Sequence, residues 1–293
     1  TSRGFPLVRM VHDHDIYCLR SYKYNYFTRE ICTKAAGPHC VFPCLGCVVK
    51  NNDGGFPIKW ASYGDKKKEI ALNHLFDRMV VVTTYMRDEL IKNGFDPKRI
   101  RIHGPVPRPG EAGLRSTFSD RNLIIYAGQI IRGKGVDVLL ESLAKVESPF
   151  ECIILGDGNH RAYCEELSKK LGLADKVTFK GFIPQEELKA YYKECSIVAL
   201  SSLWPEPIAT IGLEVMRYAL PVVAFDAGGI KDWLIDGHNG RLVPWMDRNA
   251  YAGAIDQLLK NKDEARRLGE NGLQLVSERY DFDQYIRDLQ ALF

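Results

Sequence analysis

The chain has 293 residues, 45% of them hydrophobic, 26% charged and 11% aromatic, with a formal net charge of +3. That is more than one ordinary domain and enough for two of roughly 100–200 residues each, and the balance excludes disorder, a collagen-like repeat and a disulfide-stapled miniprotein. The longest apolar runs, Leu123 to Ala127 and Leu220 to Phe225, are strand-sized and far below the roughly 18 residues of a membrane span. The opening, Thr1 to Pro6, has neither an initiator Met nor a signal-peptide core, so the start reads as cut rather than targeted.

In chain order, Leu7 to Val11 has the β-rich composition of a strand and runs into His12-Asp13-His14-Asp15. On a continuing strand His12 and His14 would share a face, as metal ligands at a sheet end do, and Asp13 and Asp15 make a D-x-D. The alternative is a polar strand end. Leu19 to Arg29 follows, with three Tyr, one Phe and three basic residues. It reads as a half-buried surface segment or as the border of an acceptor or bilayer.

Four cysteines then fall within sixteen positions, Cys32-x7-Cys40-x3-Cys44-x2-Cys47. The spacing suits a structural tetrahedral zinc, less well an iron–sulfur cluster, and equally well free thiols, with disulfides as the remaining alternative. Cys152, Cys164 and Cys195 stand alone among apolar neighbours and read as reduced core thiols, which fits a cytoplasmic protein better than a secreted one.

Met79 to Thr83 is the second strand and Tyr85 to Lys92 its helix, with an irregular stretch rich in Cys, Gly, Lys and Tyr before them. Two strands cannot close a doubly wound sheet. The first part therefore reads as the later half of a Rossmann-like domain, its opening βαβ units absent or supplied by a partner chain. Residues 104–113, with three Pro and three Gly, form the natural linker.

Beyond Asp120 the pattern is regular. Strand-like runs at Asn122 to Gly128, Phe150 to Gly156, Val177 to Gly181, Ile197 to Leu200, Pro221 to Phe225 and Arg241 to Val243 alternate with helical periods at Val136 to Val146, His160 to Leu171, Glu186 to Glu194 and Thr210 to Tyr218. Buried strands alternating with amphipathic helices mean βαβ units and a parallel sheet covered on both faces. The resulting division is 1–112, 113–280, and a last amphipathic helix in 281–293 that packs back on the first domain.

Charge divides along the same line. Residues 1–117 carry 19 Lys and Arg against 11 Asp and Glu; the remainder carries 21 against 26. The basic part suits an anionic partner, a phosphate-bearing acceptor or a membrane surface, although solvated faces that differ by chance account for it equally well.

Three loops at carboxyl ends of strands carry the chemistry, where open α/β sheets bind ligands. Gly128-Gln129-Ile130-Ile131-Arg132-Gly133-Lys134-Gly135 offers close backbone approach and two cations, yet is neither a P-loop nor G-x-G-x-x-G. Glu206 to Glu214 sets two carboxylates slightly more than two helical turns apart around a helix start. Phe225-Asp226-Ala227-Gly228-Gly229-Ile230 is another Gly-rich turn. Together they suit an anion and a group rich in hydroxyls.

The ordered set Gly128…Arg132, Lys134, Gly135, then Gly156-Asp157-Gly158, Gly181-Phe182-Ile183, Ser202…Glu206…Glu214 and Gly228-Gly229 resembles the family 4 retaining glycosyltransferases. Upstream, Val11-His12-Asp13 with Cys18 and Arg20, and Asp77 to Gly94, resemble the acceptor side of that family. The resemblance implies an α/β fold of GT-B type, two Rossmann-like domains facing a cleft, the first one incomplete. It implies transfer of a sugar from a nucleotide-diphosphate sugar, with retention, in polysaccharide, glycolipid or glycoconjugate synthesis. Glu214 would hold ribose hydroxyls and Glu206 the donor sugar. Arg132 and Lys134 would neutralise the leaving diphosphate with the N–H groups near Ala209 and Thr210, and Gly128 and Gln129 would approach it. The backbone at Ile183 would pair with the base, and His12 would reach the sugar.

Two positions depart from the family's pattern. Gln129 stands where the family often has Arg, leaving Arg132 to substitute, and Pro207-Ile208-Ala209 stands for the usual Gly-Phe-Gly. No cofactor is expected for catalysis, no nucleic acid as partner, and peripheral contact with the inner face of a membrane fits a lipid- or phosphate-linked acceptor. The rivals are a GT-B epimerase or phosphorylase, and a non-catalytic donor-binding subunit.

Overall fold

The computed structural model describes residues 4–50, 56–107 and 115–291. The expected cut start at 1–3, the linker beyond 107 and the boundary at 112 lie outside them. The chain divides into two compact units: one holds the residues up to Gly104 together with those from Asp283 onward, the other runs from Pro105 to Phe282.

The first unit contains β1 (Val8–Val11), the antiparallel pair β2 (Val48–Lys50) and β3 (Ile58–Trp60), α1 (Tyr63–Asn73), β4 (Arg78–Val81), α2 (Thr84–Lys92) and β5 (Ile100–Ile102). Its parallel sheet has the order β1-β4-β5, so a third strand joins the two legible in the sequence. β5 has only three residues with one of them charged, too few to show a period. α1 escaped for a different reason: it starts at Ser62, whose side chain accepts the Asp65 N–H, but of its eleven residues only Asn73 is buried, so no apolar stripe marks it.

Lys23, read from the sequence as part of a surface segment, is buried. Its Nζ lies 2.9 Å from Oε2 of Glu89 on α2, each side chain 3% exposed, and it also donates to the Lys34 carbonyl. Lys92 pairs with the other oxygen of Glu89. Phe27 and Phe42, by contrast, are largely exposed.

The second unit runs β6 (Leu123–Ala127), α3 (Val136–Leu143), β7 (Glu151–Leu155), α4 (Arg161–Lys170), β8 (Val177–Gly181), α5 (Gln185–Tyr192), β9 (Ile197–Leu200), α6 (Thr210–Met216), β10 (Val222–Phe225), β11 (Gly240–Val243), α7 (Arg248–Lys260) and α8 (Lys262–Arg279). Its six strands are all parallel in the order β11-β10-β9-β6-β7-β8. β6, β9 and β10 are buried at every residue, as strands covered by helices on both faces must be. Strand order reverses between β6 and β9. Connections leaving those two neighbours diverge and open a crevice at their carboxyl ends.

The last helix, α9 (Phe282–Gln290), groups from Asp283 with the first unit, where Tyr285 stacks on His103 at 4.2 Å between centroids. Among the described residues no helix is long and apolar enough to cross a membrane.

Candidate active site

The crevice between β6 and β9 is built from backbone first. Beyond β6 the Gly128 N–H donates to the Leu155 carbonyl at 2.9 Å, and beyond β7 the Gly156 N–H donates to the Gly181 carbonyl at 2.7 Å, so three strand ends are laced together. Gly156 has φ +139°, and a Cβ there would fall 1.8 Å from the Gly128 carbonyl oxygen. No side chain fits. Gly156→Ala is therefore expected to cost about 3 kcal/mol, from strain plus overpacking, and to lower the midpoint of thermal unfolding by several degrees; an unchanged midpoint would show that the strand ends are free to part.

After Gly128 the chain makes a 3₁₀ turn at Arg132–Lys134, closed by Gly135 in the left-handed conformation at the start of α3. The loop after β9 is tied onto this turn. Ser201 Oγ donates to the Lys134 carbonyl at 2.9 Å, and the N–H groups of Leu203 and Trp204 donate to the Gly133 carbonyl at 2.8 and 3.1 Å. Beneath the loop the buried Tyr126 hydroxyl donates to the Gln129 carbonyl at 2.8 Å; burial and the Glu206 charge push its phenol pKa up.

The two loops bring Lys134 and Glu206 together. Lys134 Nζ lies 2.5 Å from Glu206 Oε1, which also accepts from Ser202 Oγ at 2.5 Å and Trp204 Nε1 at 2.7 Å. Glu206 is 5% exposed. Burial works to raise its pKa, but the Lys134 ammonium and the three hydrogen bonds outweigh it and hold the carboxyl below its ordinary value. The Gly-rich turn after β10 fixes the backbone here: the Gly229 N–H donates to the Glu206 carbonyl at 2.7 Å, and Gly228, at φ +72°, approaches so closely that a Cβ would lie 2.6 Å from that oxygen.

The other expected residues are placed as follows. Arg132 is half-buried in the same turn as Lys134; Gly128 and Gln129 are exposed at its start. Ala209 adopts the left-handed conformation and Thr210, exposed, opens α6, with the Ile208 carbonyl held by Trp233 Nε1 at 2.5 Å. Glu214 is half-buried on α6 and its charge reaches the buried Tyr192. Ile183 is half-buried just past β8, beside exposed Phe182.

His12 belongs to the first unit. It is exposed immediately after β1, whereas His14 is buried with Nδ1 2.7 Å from the Tyr17 hydroxyl. The two histidines do not share a face because the strand ends at Val11. Asp13 accepts the Asp15 N–H, and Asp15 accepts from Ser21.

The cysteine pattern is also redrawn. Cys32, Cys40 and Cys44 line one cavity of about 20 Å³, but the fourth cysteine on its wall is Cys18. Cys47 is fully buried with Sγ towards the Val41 carbonyl. Burial pushes the Cys40 and Cys44 thiols up, and all four are free. Among the described residues no three His, Cys, Asp or Glu side chains are placed to hold a metal ion, so neither the four-cysteine zinc set nor the His12/His14 metal reading is met. Sequence spacing missed this because Cys18 reaches the cavity through a loop that does not follow any knuckle periodicity.

Among known proteins, a sequence profile described as glycosyl transferases group 1 matches residues 115–275, more than half of the chain and the whole of the crevice just described. The chain belongs to that family. The glycosyl transferases group 1 chain is 29% identical over 238 residues to the alpha-D-kanosaminyltransferase of Streptomyces kanamyceticus, covering 76% of itself and 59% of that protein. To the D-inositol 3-phosphate glycosyltransferase of Corynebacterium urealyticum it is 28% identical over 277 residues, covering 84% and 63%. It spans less than two thirds of the length of these relatives. Among solved structures, Anabaena HepE in complex with UDP aligns with a TM-score of 0.73 at 18% identity, over 98% of this chain and 71% of that one. The sucrose-phosphate synthase of Thermosynechococcus elongatus aligns with a TM-score of 0.69 at 24% identity, over 77% and 61%. The fold is that of the GT-B glycosyltransferases, α/β with parallel Rossmann-like sheets.

Proposed function

We propose that this glycosyl transferases group 1 chain carries a donor site for a nucleotide-diphosphate sugar and transfers the sugar, a hexose or hexose derivative, with retention of anomeric configuration. The observation that carries the reading is the meeting of Lys134 and Glu206 where the sheet reverses its order. Uridine is the favoured base, because HepE was solved with UDP and with UDP-glucose.

In this reading Lys134 and Arg132 take the charge that builds on the leaving diphosphate. Fixed cations in a partly dry site stabilise such charge far better than water does. α6 spans only seven residues, so its dipole at Ala209 and Thr210 adds little beside the two cations. Glu214 holds ribose hydroxyls, the Ile183 backbone pairs with the base, and Glu206 turns its carboxylate to a sugar hydroxyl. The bond from the anomeric carbon to the diphosphate oxygen breaks as the bond to the acceptor oxygen forms on the same face. The acceptor's proton passes to the departing diphosphate. A lipid- or phosphate-linked acceptor at the inner face of a membrane suits the basic first unit and its exposed Phe27 and Phe42.

Calorimetric titration with UDP, GDP and ADP, followed by donor hydrolysis assays on wild type and Glu206→Ala, tests this. One diphosphate should bind, and hydrolysis should fall at least about 100-fold in the variant. Binding with no turnover, indifferent to the substitution, would make the chain a donor-binding subunit instead.

A further inference from the structure

The Lys134–Glu206 pair poses a physical problem for the nucleotide-sugar reading on which this inference rests. An ammonium that turns from a buried carboxylate to an incoming anion withdraws the carboxylate's counter-charge, and a buried carboxylate stripped of its partners is strongly disfavoured. The surroundings of Glu206 answer the problem. Of the three donors on Oε1, two are neutral and sit on Glu206's own loop, Ser202 four residues earlier and Trp204 two residues earlier. Neither has to move when Lys134 does. Hydrogen bonds to an ionised acceptor are the strong kind, so these two suffice to hold it.

Trp204 is itself fixed in place. Its backbone N–H donates to the Gly133 carbonyl at 3.1 Å, and its ring lies so close to Gly133 that a Cβ there would come within 2.8 Å of it. The Lys134 ammonium sits 4.8 Å from the ring centroid, so the aromatic face offers the cation an attractive surface as it departs.

We propose that Ser202 and Trp204 are positioning residues that keep the Glu206 carboxylate ionised and in place, which releases Lys134 to exchange from Glu206 to a diphosphate oxygen. Nucleotide binding then breaks one ion pair without leaving a bare buried charge.

Two measurements on the full chain test this. In protein labelled with ¹⁵N-tryptophan, the Trp204 indole N–H signal is identified by its loss in Trp204→Phe, a change that keeps a ring against Gly133. Glu206→Gln should shift that signal more than those of Trp60, Trp233 and Trp245; an unmoved signal overturns the proposal with no nucleotide present. In the second, UDP affinity is measured in a cycle. Ser202→Ala with Trp204→Phe should weaken UDP binding about tenfold, because Lys134 is then the sole donor to Glu206 and is held back. In a Lys134→Met background the same pair should change affinity by less than about twofold. Equal weakening in both backgrounds would mean that the two residues only shape the pocket, and would overturn the exchange. A wild type that takes up no UDP counts against the nucleotide reading, and the indole shift then decides the support of Glu206 alone.

Discussion

Lys134→Met is expected to slow sugar transfer by about 10²–10³-fold at saturating donor, the range seen when one fixed stabiliser of developing charge is removed. Lys134 sits in a 3₁₀ turn pinned by Ser201, Leu203 and Trp204, so its ammonium is held over the crevice by backbone bonds rather than by a mobile stem alone. The loss should fall mainly on kcat, since the charge that Lys134 meets is largest as the diphosphate departs. Lys134→Arg should recover part of the rate by restoring charge at altered geometry. Steady-state kinetics of the two variants decides the matter. A Lys134→Met protein within threefold of wild type would remove Lys134 from the reaction and with it the main support for the donor site.

The second large effect concerns stability and lies in the first unit. Glu89→Ala leaves the Lys23 ammonium, 3% exposed, without its carboxylate. Breaking one side of a buried pair costs about 3–5 kcal/mol, because the remaining charge stays out of water. Lys23 keeps its bond to the Lys34 carbonyl, which moderates the loss. The paired change Lys23→Met with Glu89→Leu should recover most of it, as apolar replacements of both partners often do. Urea unfolding with a probe in the first unit reads the difference. If both variants unfold at the same midpoint, the pair contributes nothing specific.

The second unit was legible because its central strands β6, β9 and β10 are buried at every residue and β6, β7, β8 and β9 are each followed by a helix, so pattern and topology agree. The Lys134 loop was legible as a Gly-rich turn at a strand end, and the Glu206 loop as two carboxylates spaced around a helix start. What the sequence could not convey is who faces whom within those turns. Trp204 carries no motif, and only the fold of the loop brings its indole to Glu206. The first unit resisted for physical reasons of its own. α1 has no apolar stripe, β5 is too short to show alternation, and Lys23 looked like a surface lysine because its partner Glu89 is sixty-six positions away. The cysteines misled through sequence proximity: Cys47 is adjacent in the chain yet turned away, while Cys18, fourteen positions before Cys32, reaches the shared cavity.

The grouping of α9 with the first unit has a consequence for how the protein is made. Tyr285 stacks on His103, so that unit is assembled from two stretches of polypeptide separated in synthesis by the whole of the second unit. The second unit is continuous from Pro105 to Phe282 and can fold while it is still being synthesised. The β1-β4-β5 sheet, translated earlier, is joined by α9 only after the second unit has been synthesised.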